Sequence, residues 1–398
     1  MWNIRSVSGG GAKADLGPWR LFVLAILGAA VILVALCWSL AVAQARAVVV
    51  LSSVLEAPVL TPAVEALTRE PVVEDTVFAG RPSLVVKPAG EGPYPAILFV
   101  NGTVPEGRNY PEVQNLARGL ARAGYLVVVP DLPGLTNDEI TPQTVSSTVE
   151  TARAVANHPD TRDGRIGLVG VSTGATLSLL AAEDPEVGER ASVVAGIAPY
   201  TDIRTVLSIA TTDHYRKDGE YVPYDADSFL SYVIARSMLA VLPPGEDREV
   251  LRAELEEVDR LDPDPLSWLR DRPTGDLSPE ARNVVGLLAN EDPERFDGLY
   301  AALSPEIRAQ MESLSPLHGS EQIVAPVELV SGSRDKYFPV SESFAVGRIA
   351  ADHRVVVSEA IDHSEVNFSL RDVPAFARLD GFVVRSLREA SHAEPSEG

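Results

Sequence analysis

The chain holds one cysteine, Cys37, and only four lysines, Lys13, Lys87, Lys217 and Lys336, in 398 residues. A lone cysteine excludes an intramolecular disulfide and a cysteine-ligated zinc site. Positive charge is scarce as well: 34 Lys and Arg stand against 56 Asp and Glu, a net charge of −22. Nucleic-acid phosphates and anionic headgroups recruit clustered Lys and Arg, so that balance argues against both as partners. Self-similarity at a period of roughly 20–50 residues is missing, which argues against a repeat array. What is present is ordinary: 45% hydrophobic and 23% charged residues, enough apolar side chains for a sizeable core and too many for disorder. At about 150 residues per domain, the length fits two or three domains, or one large domain carrying an insertion.

Residues 21–43, LFVLAILGAAVILVALCWSLAVA, carry no charge. The run matches the roughly 20 residues a helix needs to cross a hydrocarbon core of about 30 Å. Arg5, Lys13 and Arg20 precede it against Asp15 alone, and only Arg46 follows before Glu56. The positive-inside rule then keeps residues 1–20 cytoplasmic and exports everything downstream. A cleaved signal peptide is the alternative, because Ala41-Val42-Ala43 and Ala43-Gln44-Ala45 both match the A-x-A cleavage pattern and would yield a secreted protein. Against it, a signal core is usually about 7–15 residues long. Residues 44–71 read as a connector, apolar but broken by Pro58, Pro62 and Pro71.

From residue 72 onward, short β-branched runs alternate with amphipathic stretches. Residues 83–87, 96–100, 125–129, 165–171, 192–197, 327–330 and 354–357 read as strands, and 111–123, 144–157, 341–351 and 374–389 as helices. Continuous Val, Ile and Leu suit a parallel sheet covered on both faces, and the alternation implies βαβ units. The expected class is therefore α/β. Between Pro199 and Pro326 the rhythm breaks for over 100 residues of Pro-punctuated, helical sequence. A structureless loop of that length is improbable, so the interval, about 201–322, is expected to be a helical insertion. It is strongly acidic, with 25 Asp and Glu against 12 Lys and Arg, and its most apolar piece is 229–242, FLSYVIARSMLAVL.

The strand 165–171 runs into Gly170-Val171-Ser172-Thr173-Gly174 and then the helix-like ATLSLLAA. This G-x-S-x-G pattern between strand and helix is a nucleophile elbow, in which small flanking residues let a serine sit in a strained turn with its Oγ clear of the sheet. A nucleotide-binding turn is the competing reading, but glycines at 167, 170 and 174 do not spell G-x-G-x-x-G. A serine nucleophile needs a base, and the base an orienting acid. Of the six histidines, His363 follows the last strand and is free to reach the elbow; His158 and His392 read as surface, His353 as structural, and His214 and His318 belong to the insertion. Asp335, just past strand 327–330, is the candidate acid, with Asp362 the rival beside His363. The order Ser172, Asp335, His363 is that of a known triad arrangement. For an oxyanion hole, the Thr173 N–H follows the nucleophile directly, and the Thr103 N–H in Asn101-Gly102-Thr103 is the candidate second donor.

With GVSTG, the FVNG loop, SGSRD followed by Pro339, and the late His363, residues 72–390 resemble the α/β-hydrolase superfamily, within it lid-bearing serine esterases and dienelactone-hydrolase-like members. True dienelactone hydrolases use a cysteine where this chain has Ser172. The resemblance implies an α/β-hydrolase fold: a mostly parallel sheet with helices on both faces and a helical cap inserted late in the sheet. It implies acyl transfer by Ser172, His363 and Asp335 through an acyl-enzyme that water releases, with no metal or organic cofactor. The whole is then a membrane-anchored serine carboxylic-ester hydrolase acting on a small, neutral or apolar ester, with residues 391–398 a tail. The apolar segment 229–242 and Tyr215, Tyr221, Tyr224 and Tyr232 motivate the apolar substrate, with plain cap packing as the other reading. An acyltransferase on the same residues and a catalytically silent ligand-binding homologue remain open.

Overall fold

Eight segments rich in Val, Ile and Leu assemble into one sheet in the computed structural model, which describes residues 38–55, 60–319, 322–363, 365–366 and 373–391. In chain order the strands are β1 (Val72–Phe78), β2 (Arg81–Lys87), β3 (Tyr94–Val100), β4 (Leu126–Pro130), β5 (Thr161–Val171), β6 (Ala191–Ile197), a separate hairpin of β7 (His214–Lys217) and β8 (Glu220–Pro223), then β9 (Val327–Gly332) and β10 (His353–Ser358). The sheet order is β1-β2-β4-β3-β5-β6-β9-β10. β2 runs antiparallel to both β1 and β4, and β3, β4, β5, β6, β9 and β10 are mutually parallel. The expected α/β class with a mostly parallel sheet is what the chain adopts. β1 went unread in the sequence because its polar, largely exposed VVEDTVF is an edge strand facing water.

Side chains alternate faces along each strand, as strand geometry requires. Ala96, Leu98 and Val100 of β3, with Leu126 and Val128 of β4, enter one core. Ile97 and Phe99, with Val127 and Val129, enter the other. Helices cover both faces, the reason these strands are apolar at every position. The helices α1 (Trp38–Leu55), α2 (Leu60–Leu67), α3 (Pro111–Arg122), α4 (Pro142–Ala156), α5 (Thr173–Glu183) and α6 (Pro185–Gly188) precede the insertion. Of these, α4 and α5 cover the first face, whereas α3 and the C-terminal helix (Val373–Ser391) cover the second.

The chain divides into two units, residues 1–45 and 46–398. Of the run expected to span a membrane, residues 21–37 lie outside the described residues, as does His392. Helix α1 is the one helix among the described residues long and apolar enough to cross a bilayer, with a mean hydropathy of 1.6. Its last turns belong to the second unit: Ala47 and Val50 are buried with Val113, Ala117 and Leu120 of α3. Arg46 hydrogen-bonds the Tyr125 hydroxyl at 3.3 Å, and Thr61 Oγ1 ties α2 to the Ser52 carbonyl at 2.7 Å.

The insertion between β6 and β9 is a cap built of α7 (Ile203–Thr212), the β7–β8 hairpin, α8 (Phe229–Ala240), α9 (Glu246–Glu256), α10 (Ser267–Asp271), α11 (Pro279–Leu288), α12 (Pro293–Ala302) and α13 (Pro305–Glu312). It is mostly helical, as expected, with the hairpin as an unforeseen addition. Its two ends meet: the Ser315 hydroxyl accepts from the Ile203 N–H at 2.8 Å, and Leu317 N–H donates to the Thr201 carbonyl at 3.1 Å. Glu342, on α14 (Val340–Ala345) after β9, is fully buried and accepts from the backbone N–H groups of Thr201 and Asp202, each at 2.8 Å. Its carboxyl is held above the usual range by burial, partly offset by those donors. A buried carboxylate is tolerable only when its lone pairs are filled in this way. The apolar helix α8 points Leu230, Val233, Ile234 and Leu239 into the core, so most of its apolar surface is spent on packing.

Candidate active site

Strand order reverses around β3, because the chain passes from β3 to β4 on one side and then returns to β5 on the other. Ligands in open α/β sheets bind at such a switch point, beyond the C-terminal ends of the strands. Here those ends carry Asn101-Gly102-Thr103 after β3 and Ser172 after β5. The two loops touch: a Cβ built on Gly102 would lie 3.4 Å from Ser172 Cβ and 3.8 Å from its Oγ.

Ser172 adopts φ 55°, ψ −128°, a conformation that costs a non-glycine residue roughly 1–3 kcal/mol and persists only where its surroundings impose it. Two glycines give the turn the room it needs. A Cβ at Gly170 would overlap the Gly174 carbonyl, and one at Gly174 would overlap the carbonyls of Val100 and Asn101. The turn is further held by Ser172 N–H donating to the Ile197 carbonyl at 2.7 Å, and by Ala175 and Thr176 N–H donating to the Ser172 carbonyl at 2.9 and 3.3 Å. Thr173 opens α5 and is buried, and Thr103 is half-buried on the facing loop.

Asp335 and His363, 28 residues apart in sequence, come together. His363 Nδ1 lies 2.8 Å from Asp335 Oδ2, and their side chains are only 6% and 1% exposed. Asp335 Oδ1 accepts from the backbone N–H groups of Tyr337 and Phe338 at 2.8 and 2.9 Å. Both carboxylate oxygens are thus occupied, which fixes the carboxylate plane toward the imidazole. The rings of Tyr337 and Phe338 stand edge-on to the His363 ring, at centroid separations of 4.4 and 5.8 Å. Nδ1 is the ring nitrogen that faces the carboxylate, so the Asp335 contact sets the orientation of the imidazole. The rival acid, Asp362, is exposed to solvent.

The remaining histidines have local roles. His353 Nδ1 lies 2.9 Å from the Ala350 carbonyl, His214 Nδ1 lies 2.6 Å from the Thr212 carbonyl, and His318 Nε2 lies 3.7 Å from Asp202. The His158 ring packs against Phe78. Of the four cap tyrosines, Tyr215 and Tyr224 stack edge-to-face at 5.8 Å, while Tyr221 and Tyr232 lie beneath Arg216 and Arg236.

Two groups of residues at the site escaped the sequence reading. Tyr337 and Phe338 were accessible to it: an Asp opening a turn commonly accepts N–H groups two and three residues on. The cap contacts were not. Tyr224 donates its hydroxyl to the Asp335 carbonyl, and the Ser237 hydroxyl accepts from the Ile140 N–H at 2.9 Å. Arg260 pairs with Asp138 at 3.2 Å and Arg252 with Glu139 at 2.8 Å. Burial holds the Asp138 carboxyl above its usual range, with Arg260 and then Arg236 opposing. The cap is thus clasped to the sheet edge on both sides of Ser172. Among the described residues no cluster of His, Cys, Asp and Glu could hold a metal ion.

The sheet order, the elbow and the late histidine define an α/β hydrolase. Residues 97–369 match the model of the alpha/beta hydrolase family, and the chain belongs to that family. No curated protein matches the chain. Among solved structures it is similar to an acylaminoacyl peptidase of Pyrococcus horikoshii, with 14% identity and a TM-score of 0.48 over 85% of this chain and 45% of that one. It thus spans less than half of that peptidase. It is also similar to an esterase of Pyrobaculum calidifontis, with 16% identity and a TM-score of 0.47 over 88% of this chain and 94% of the other. A hormone-sensitive lipase from a metagenome library is 14% identical, with a TM-score of 0.41 over 85% and 96% of the two chains.

Proposed function

We propose that the chain is a serine hydrolase that cleaves a carboxylic ester through an acyl-enzyme, with Ser172 as nucleophile, His363 as base and Asp335 as the acid that orients it. The observation that carries this reading is the buried Asp335–His363 pair on the same sheet edge as a serine in an elbow conformation. Ser172 Oγ attacks the ester carbonyl carbon as His363 Nε2 takes its proton. Asp335 stabilises the imidazolium and keeps the proton on Nδ1. The Thr173 and Thr103 N–H groups receive the charge on the carbonyl oxygen, where loss of one such donor typically costs on the order of 10²–10³ in rate. His363 then protonates the departing alcohol, and water, activated by the same base, releases the acid.

The substrate proposed is a small, neutral or apolar ester: the cap carries 25 acidic against 12 basic residues, a field that repels anions approaching the cleft. Residues 21–43 are proposed to anchor the enzyme with residues 1–20 in the cytoplasm and the hydrolase domain, 72–390 with its cap at 201–322, outside. Secretion after cleavage near Ala43 or Ala45 is the competing outcome.

Fluorophosphonate labelling of membrane fractions tests the chemistry, wild type beside Ser172→Ala and His363→Ala. Wild type is expected to label and both variants to stay blank. An unlabelled wild type removes the serine-hydrolase reading, and labelling of Ser172→Ala removes the nucleophile. Protease treatment of intact cells tests orientation, since a protected domain contradicts export.

A further inference from the structure

Three consecutive residues of the acid loop, Asp335, Lys336 and Tyr337, are each held by a short stretch of the cap. The Tyr224 hydroxyl donates to the Asp335 carbonyl. Three residues on, Asp227 N–H donates to the Lys336 carbonyl at 2.8 Å, and the Asp227 carboxylate lies 3.9 Å from Lys336 Nζ. Two residues further, the Phe229 ring meets the Tyr337 ring edge-to-face at 6.4 Å. Tyr337 in turn stands against His363. These contacts join segments over 100 residues apart, and they engage the loop that presents the carboxylate to the imidazole.

We infer that Tyr224 is a positioning residue that sets the Asp335 loop from the cap, so that a seated cap and an ordered Asp335–His363 pair are one and the same state. This rests on the triad reading above. The hydroxyl acts through the Asp335 backbone carbonyl, not its carboxylate, and does not touch the reacting atoms. Burial, with the Asp335 charge adding to it, pushes the Tyr224 phenol up, so it stays a donor throughout the range in which a serine hydrolase works. Without it the Asp335 carbonyl, in a residue 6% exposed, loses its donor, and a buried unpaired carbonyl favours a shifted loop that regains water. Displacement of a carboxylate by a fraction of an ångström is enough to slow proton transfer, because rate falls steeply with misplacement of catalytic groups. A cap swung away from the acid loop therefore leaves the elbow serine in place but its base poorly oriented, which restrains hydrolysis until the cap is seated over a substrate.

The test compares wild type, Tyr224→Phe and, as a control on the same hairpin, Tyr221→Phe in the full-length chain. Assays use 4-nitrophenyl acetate and 4-nitrophenyl octanoate, with fluorophosphonate labelling rates measured in parallel. Tyr224→Phe is expected to lower kcat about 10-fold on both esters with KM within about twofold, and to slow labelling by a similar factor. Tyr221→Phe stays at the wild-type rate. Phe229→Leu, at the far end of the same strip, is expected to lower kcat in the same direction by a smaller factor, and it carries the test should Tyr224→Phe not fold. A labelled wild type with kcat unchanged in the folded variants overturns the inference. A loss confined to KM or to the longer ester also overturns it, since that pattern belongs to a substrate contact. A wild type that does not label fails the triad reading itself, and this inference with it.

Discussion

Glu183, the last residue of α5, gives a direct handle on how this hydrolase domain responds to pH. Its carboxylate lies over Gly319, where the cap rejoins the sheet, so closely that a Cβ there would clash with it. One of its oxygens is buried without a hydrogen-bond partner among the described residues. Burial pushes the carboxyl from 4.5 up to about 8, and no neighbouring cation offsets it. The folded protein therefore retains a proton that the unfolded chain releases, so wild-type stability falls as pH rises from about 4.5 toward about 8. At 1.36 kcal/mol per pH unit the full window corresponds to about 5 kcal/mol. The side chain is partly solvated, which reduces this to about 2 kcal/mol. Glu183→Gln preserves the shape and removes the titration. With an unfolding entropy of about 2.1 cal/mol/K per residue over roughly 350 residues, the variant gains about 3 °C on wild type between pH 5 and pH 8.5. Thermal melts followed by circular dichroism at both pH values give the number, read as variant minus wild type so that other titrating groups cancel. An equal difference at both pH values, or one that moves in wild type's favour as pH rises, would falsify the reasoning.

Two further outcomes follow from the same geometry. Asp335→Asn keeps the volume and the turn but cannot hold the His363 tautomer, so kcat on 4-nitrophenyl acetate is expected to fall on the order of 10⁴-fold with the melting temperature little changed; a loss under tenfold would point to another acid. A chain beginning at Arg46 is expected to fold as wild type, because residues 46–398 form one unit. A chain beginning at Leu60 lacks Ala47, Val50 and Leu51, all buried, and is expected to lose about 3 kcal/mol or more in denaturant titration; equal midpoints for the two truncations would show that the α1 turns carry no stability.

Strands, sheet class and insertion were legible in the residues because burial on both faces leaves a local signature, unbroken Val and Ile between Gly and Pro. The same physics hid β1, whose edge position removes the need for apolar residues. It also hid the β7–β8 hairpin, whose HYRK and EYVP carry no run of apolar residues. The elbow was legible because its sterics demand glycine at two fixed offsets, and Gly170 and Gly174 are there for contacts that admit no Cβ. Asp335 could be singled out from the other carboxylates by its place past a strand end. The backbone donors of Tyr337 and Phe338 set it apart physically, because they fill Oδ1 and leave Oδ2 for the imidazole.

The cap divides along the same line. Its acidity and its apolar helix are properties of composition and could be read directly, yet composition alone left residues 229–242 open between a substrate-facing role and plain cap packing. In the folded chain α8 turns most of that surface inward, and the tyrosines meet arginines, one another or the acid loop. An apolar interior is what any inserted subdomain needs to fold on a sheet edge, so the apolar helix by itself specifies no ligand. The specific information lies in a few polar contacts that cross from cap to sheet: Tyr224 to Asp335, Ser237 to Ile140, Arg260 to Asp138, Arg252 to Glu139. Each is individually small, on the order of 1 kcal/mol for a satisfied hydrogen bond, too little to dominate stability. Set on both sides of Ser172, they fasten the cap to the loops that flank the elbow, and the Tyr224 contact reaches the residue that pairs with His363.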